Sequence, residues 1–87
     1  MTDISIELRK ATVFAEIMKR KLISNQHKGG WSNDLFSYLL CRLKEETHEL
    51  EVALTNGCPP AKITEEAADV ANFAMMIADV SGGLDRP

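Results

Sequence analysis

Residues 36–54, FSYLLCRLKEETHELEVAL, decide how this chain is to be read. Phe36, Leu39, Leu43, Glu46, Leu50 and Ala53 step by 3, 4, 3, 4 and 3 residues, which places them on one face of an α-helix. Glu46 therefore stands where a helical bundle would ordinarily put an apolar side chain. Glu49, three residues on, shares its face. A second acidic pair, Glu66 and Asp69, has the same spacing on the next helical stretch. Packed together, two such helices converge four carboxylates, and four unpaired carboxylates cannot share a dry site. A hard divalent cation is the physical remedy. Mg²⁺ fits best, with Mn²⁺ as a substitute, and Mg²⁺ in turn usually works on phosphate-bearing substrates.

Working outward, helical periodicity continues on both sides and strand alternation is absent. Ile4, Leu8, Ala11, Ala15, Met18 and Leu22 form an apolar stripe widened by Phe14 and Ile17, predicting a first helix over residues 3–23. SNQHKGGWSN, residues 24–33, reads as a loop with Ser32 or Asn33 as N-cap of the second helix. TNGCPPAK, residues 55–62, breaks that helix, and Thr64 is expected to cap a third over 65–80, ending at Ser81-Gly82-Gly83. In this third helix Ile63, Ala67, Val70, Ala74 and Ile77 make one seam. Glu66, Asp69, Phe73, Met76 and Val80 make another, acidic at its start and apolar at its end. One end of the helix is thus expected to line a charged pocket while the other packs in a core. The fold class is all-α, with three main helices per chain completing four-helix bundles by oligomerisation, because the second seams leave more apolar surface than one three-helix layer can hide.

With 87 residues the chain is expected to be one domain with a modest core. Ten basic against thirteen acidic residues, without a basic tract, argue against nucleic acid as the main partner. The charged opening MTDISIELRK holds no apolar run long enough for a signal or a membrane span, so no membrane association is expected and the cytoplasm is the default address. Cys41 and Cys58 form no CxxC pair. A Cys41/His48 zinc site would need two further ligands, and none is found.

EETHE at 45–49 followed by EEAAD at 65–69 resembles the EExxE and ExxD motif pair of the MazG-like all-α nucleoside triphosphate pyrophosphohydrolases, over most of the chain from the KGGW loop through Ala78. The resemblance implies Mg²⁺-dependent hydrolysis of a (d)NTP between the α and β phosphates, giving (d)NMP and pyrophosphate, in nucleotide-pool sanitation or housekeeping. It implies Glu46, Glu49, Glu66 and Asp69 as metal ligands, Asn72 as an outer support or a sugar contact, and a homodimer or homotetramer. It also leaves Glu45 with a role as ligand or as the residue that orients water.

For the water's proton, Glu45 and Glu49 are both candidates as general base, a carboxylate not fully occupied by metal being able to take it. The loop His27 to Trp31, HKGGW, adds a hydrogen-bonding His27, a Lys28 able to meet phosphate as a point charge, and a Trp31 able to stack on a base. Lys62, four residues before Glu66, is placed to reach the β or γ phosphate. Plainer readings stand beside each of these. Trp31 can be a hydrophobic lid, Lys62 and His27 solvated side chains, Glu45 a solvated residue close to Lys44 or Glu49, Glu66 a first-turn acid favoured by the helix dipole, and Glu46 one half of a buried ion pair with an Arg. The alternative for the whole chain is a non-catalytic helical oligomerisation or nucleotide-sensing module that retains the acidic site.

Overall fold

Proline decides where the last helix begins. In the computed structural model, which describes residues 3–85, the chain forms α1 (Ser5–Ser24), a single 3₁₀ turn (Gln26–Lys28), α2 (Phe36–Thr55) and α3 (Pro60–Val80), with no strand among the described residues. Pro60 is the first residue of α3, where its missing N–H would find no helical partner anyway and its fixed φ already suits the helix. The expectation that α3 opens at 65 under a Thr64 cap is thereby corrected. Thr64 lies inside the helix, its hydroxyl donating to the Pro60 carbonyl at 2.8 Å. Glu66 consequently sits well past the first turn, and helix-dipole stabilisation no longer accounts for it.

The other boundaries move for equally local reasons. Asp3 stays outside α1 and accepts from the Ser5 N–H at 2.9 Å, so the helix starts two residues later than the spacing predicted. Neither Ser32 nor Asn33 caps α2. A turn in which the Asp34 N–H donates to the Trp31 carbonyl carries the chain past them, and extended Leu35 is the residue before the helix. Gly57, at φ 63°, ends α2 in a left-handed conformation. The Cys58 N–H returns to the Ala53 carbonyl and the Gly57 N–H to that of Leu54, the Schellman pattern that glycine permits without a Cβ penalty.

Helix α3 is the shared element: α2 packs along it most extensively and α1 packs on it as well, while α1 and α2 have no direct backbone packing. Between α1 and α2 this leaves an open trough floored by α3. The core is correspondingly thin. Leu39, Ala53 and Ala68 are the buried apolar residues among those described, and the radius of gyration is 14.4 Å, against about 12 Å for a compact chain of this length. The second-helix stripe is realised at Leu39, Glu46 and Ala53, all buried, whereas Phe36 at its start is 65 % exposed. Of the first-helix stripe only the C-terminal part, from Phe14 to Leu22, is partly covered. Ile4, Leu8 and Ala11 are exposed. No helix among the described residues is long and apolar enough to cross a membrane.

Candidate metal centre

Three of the four predicted ligands meet. Glu46 from α2 and Glu66 and Asp69 from α3 bring one carboxylate oxygen each within 4.8 Å of one another. Packing α2 against α3 through the Leu39, Glu46 and Ala53 face requires this, since Glu46 holds a core position and Glu66 and Asp69 share the facing seam. Glu46 and Glu66 are only 7 % and 8 % exposed. Glu49, one turn on from Glu46, is exposed and stands outside the triad, yet close enough to act on it.

The electrostatics record the crowding. Burial pushes the Glu46 carboxyl up to about 7, helped by a proton-sharing contact and charge repulsion from Glu49 and by the charge of Asp69, with Arg42 opposing. Asp69 is also raised, by burial first, against the pull of Lys21 and with the repulsion of Glu66 and Glu49. Such a site holds its negative charge reluctantly and would hold it readily around a cation.

The expectation that these acids are unpaired is corrected. Each carboxylate of the triad is met by one basic side chain: Arg42 Nη2 donates to Glu46 Oε1 at 3.0 Å, Lys62 Nζ lies 2.8 Å from Glu66 Oε1, and Lys21 Nζ lies 3.4 Å from Asp69 Oδ1. The arginine partner weighed for Glu46 is thus present, itself part-exposed while the carboxylate is buried. Arg42 also binds Glu45 and lies over the Phe73 ring, 5.2 Å from its centroid. Neither Arg42 nor Lys21 was singled out from sequence. Arg42 at four residues before Glu46 carries the i, i+4 signal that could have found it. Lys21 comes from another helix, and no local spacing announces it.

Three cations do not finish the job, however. Glu46 Oε2 and Glu66 Oε2 are buried with no hydrogen-bond partner, and a buried acceptor left unsatisfied costs about 1–3 kcal/mol. Two buried carboxylate oxygens without donors, on acids that converge with a third, fit a hard oxygen-binding cation, whose coordination would be supplied by Glu46, Glu66 and Asp69 with Glu49 at its edge.

Two cavities open beside the triad. The larger, about 580 Å³, lies in the trough and is reached by Glu46, Asp69, Lys21, Lys28, Arg42 and Trp31. Asn72, Tyr38, Phe73 and Met76 also line it. Asn72 is 4 % exposed, donates through Nδ2 to the Met18 carbonyl at 3.1 Å and leaves its buried Oδ1 without a partner. Gly29, at φ 85° and ψ −179°, holds a backbone conformation that side chains disfavour, and it turns the loop along the cavity. Trp31 is held there by its indole N–H, which donates to Asp79 Oδ2 at 2.8 Å. The smaller cavity, about 390 Å³, is lined by Glu49, Glu66, Lys62, His48 and Cys58, among others. Of the other predicted site residues, Lys62 thus belongs to the smaller cavity, while Glu45 and His27 line neither. Comparison with known proteins adds nothing to this geometry, since no family model, curated protein or solved structure matches the chain.

Proposed function

We propose that this chain is a Mg²⁺-dependent nucleoside triphosphate pyrophosphohydrolase, hydrolysing a (d)NTP between its α and β phosphates. The observation that carries the reading is the pair of partnerless buried oxygens, Glu46 Oε2 and Glu66 Oε2, within a converging acidic triad beside a cavity of drug-sized volume. The motif resemblance of EETHE and EEAAD supplies the reaction. When bound at this triad, a divalent ion would neutralise phosphate oxygens and lower the pKa of water.

The remaining work falls to the protein's own groups. Glu49 is the better candidate for general base, since it stands beside the triad with its carboxylate exposed, whereas Glu45 is engaged by Arg42. Asn72 Oδ1 needs a donor, and a sugar hydroxyl of a bound nucleotide would supply one. Phe73, Met76 and Trp31 offer apolar and aromatic surface to a base, and Lys28 offers charge to the phosphate chain. A panel of nucleoside triphosphates with Mg²⁺, assayed for pyrophosphate and monophosphate, tests the proposal. No release of either product from any nucleotide would leave the non-catalytic, nucleotide-sensing alternative.

Trp31 separates two contributions. Trp31→Phe removes the hydrogen bond to Asp79 and keeps a ring, so it should lower the melting temperature while leaving the ranking of bases unchanged. Trp31→Ala should in addition weaken substrate binding unequally among bases, read as KM across the panel. Equal KM changes for all bases would remove Trp31 from base recognition.

Assembly belongs to the same proposal. Leu35, Phe36, Tyr38 and Leu40 are all at least 40 % exposed around the start of α2, as are Ile4 just before α1 and Leu8 and Val13 on it. Covering these faces with a second copy, as homodimer or homotetramer, would complete the bundle that one chain leaves open. The solution mass should be that of a dimer or tetramer, and the unfolding midpoint should rise with protein concentration. A monomer with a concentration-independent transition at micromolar concentration would refute the assembly.

A further inference from the structure

Lys21 is unlike the other two cations at the triad. Arg42 and Lys62 pair with acids four residues later on their own helices, contacts that a helix makes by itself. Lys21 reaches Asp69 only because α1 packs on α3, and with its side chain 27 % exposed it stands at the edge of the large cavity, alongside Lys28 and Arg42. At 3.4 Å its ammonium occupies Asp69 Oδ1, the oxygen belonging to the one acid of the triad that is not deeply buried.

An ammonium and a divalent ion compete for that carboxylate, and their like charges repel at such range. The lysine stem is flexible and its charge is a compact point that can be redirected by rotation about its side-chain bonds. The open space beside it is the cavity, where Lys28 and Arg42 stand against the acids Asp34, Glu46 and Asp69, so an anion is suited there once a cation neutralises the triad. We propose that Lys21 is a placeholder cation: it holds Asp69 while no metal is bound, and turns into the large cavity to hold a phosphate oxygen of the substrate once a divalent ion takes the carboxylates. This rests on the metal-site reading above. It makes the two binding events reciprocal, since metal frees the lysine for phosphate and phosphate draws the lysine away from the metal's ligand. Without metal, Lys21 stays engaged, Glu46 and Asp69 repel phosphate, and the anion site is closed.

Pyrophosphate and Mn²⁺ are sufficient probes, and neither requires turnover. Calorimetry on the wild-type chain should show Mn²⁺ binding alone, no pyrophosphate binding in chelator, and pyrophosphate binding once Mn²⁺ is saturating. Lys21→Met should tighten Mn²⁺ by roughly twofold to fivefold, the range a partly exposed ion pair commands, and weaken pyrophosphate on the Mn²⁺-loaded protein by about tenfold or more, as loss of a charge-assisted contact does. Lys21→Arg should restore pyrophosphate binding. Should Lys21→Met lose its helical signal, Lys21→Gln carries the same two readings. Tighter Mn²⁺ with unchanged pyrophosphate would make Lys21 an ordinary structural ion pair and overturn the proposal. Unchanged or weaker Mn²⁺ would overturn the placeholder role. A wild-type chain that binds no Mn²⁺ would instead bring down the metal-site reading, and this inference with it.

Discussion

Under the proposed pyrophosphohydrolase activity, Glu46→Gln, Glu66→Gln and Asp69→Asn should each lower turnover by about a hundredfold or more, given that residues merely supporting a metal ligand are worth about 10- to 100-fold. The fold should survive each change. An amide keeps the volume of the acid and can still accept from the cation that pairs with it, Arg42 for Glu46, Lys62 for Glu66 and Lys21 for Asp69. It also removes one negative charge from a site where three carboxylates lie within 4.8 Å, so the metal-free protein should melt no lower than wild type at neutral pH. A purely structural ion-pair cluster predicts the reverse, because weakening a buried pair leaves its partner charge uncompensated and destabilises strongly. Parallel measurement of turnover and helical melting on the three variants decides between them. Retained turnover with a depressed melting temperature would defeat the metal centre. Glu49→Gln, outside the triad, should remove turnover and leave Mn²⁺ binding weakened less than in the other three.

Metal and pH should act against each other on stability. Glu46 is raised from 4.5 to about 7 in the folded chain, so between those values the native state holds a proton that the unfolded state has released. Stability of the chelated protein is therefore greatest below about pH 4.5, as far as this group is concerned, and is lost as pH climbs through 7. Asp69, raised as well, contributes in the same direction. Mg²⁺ requires the deprotonated ligands and should stabilise increasingly as pH rises. At a hundredfold excess over its dissociation constant it contributes about 2.7 kcal/mol, which for a domain of this size moves the melting temperature by roughly 10 to 20 °C. Melting curves at pH 5 and pH 8, with Mg²⁺ and with chelator at one fixed protein concentration, give the four values needed. A chelated protein more stable at pH 8 than at pH 5, or a Mg²⁺ effect equal at both, would contradict the raised Glu46 and the ion's place beside it.

The helices themselves, and the acids' shared faces, were legible from residue spacing alone. An α-helix has one period, so Leu39, Glu46 and Ala53 had to lie together wherever the chain went, and Glu66 and Asp69 likewise. Glu46 could be recognised as out of place because its neighbours in register were apolar, and its burial follows from the same register. Helix starts were less legible, since they depend on single residues with competing uses. Thr64 is a residue type that caps helices, but Pro60 upstream is preorganised to begin a helix and Thr64 then satisfies its hydroxyl on the Pro60 carbonyl. What spacing could not contain is everything that joins residues distant along the chain. Lys21 on Asp69, Trp31 on Asp79 and Asn72 on the Met18 carbonyl are contacts made across α1, the loop and α3, created only when helix packing brings those surfaces together. The same packing separated Glu49 from the triad and put Lys62 on the smaller cavity. Periodicity assigns each side chain a face of its own helix, and only the packing of α1 and α2 on α3 determines which faces meet, which acids converge and which oxygens are left without a partner.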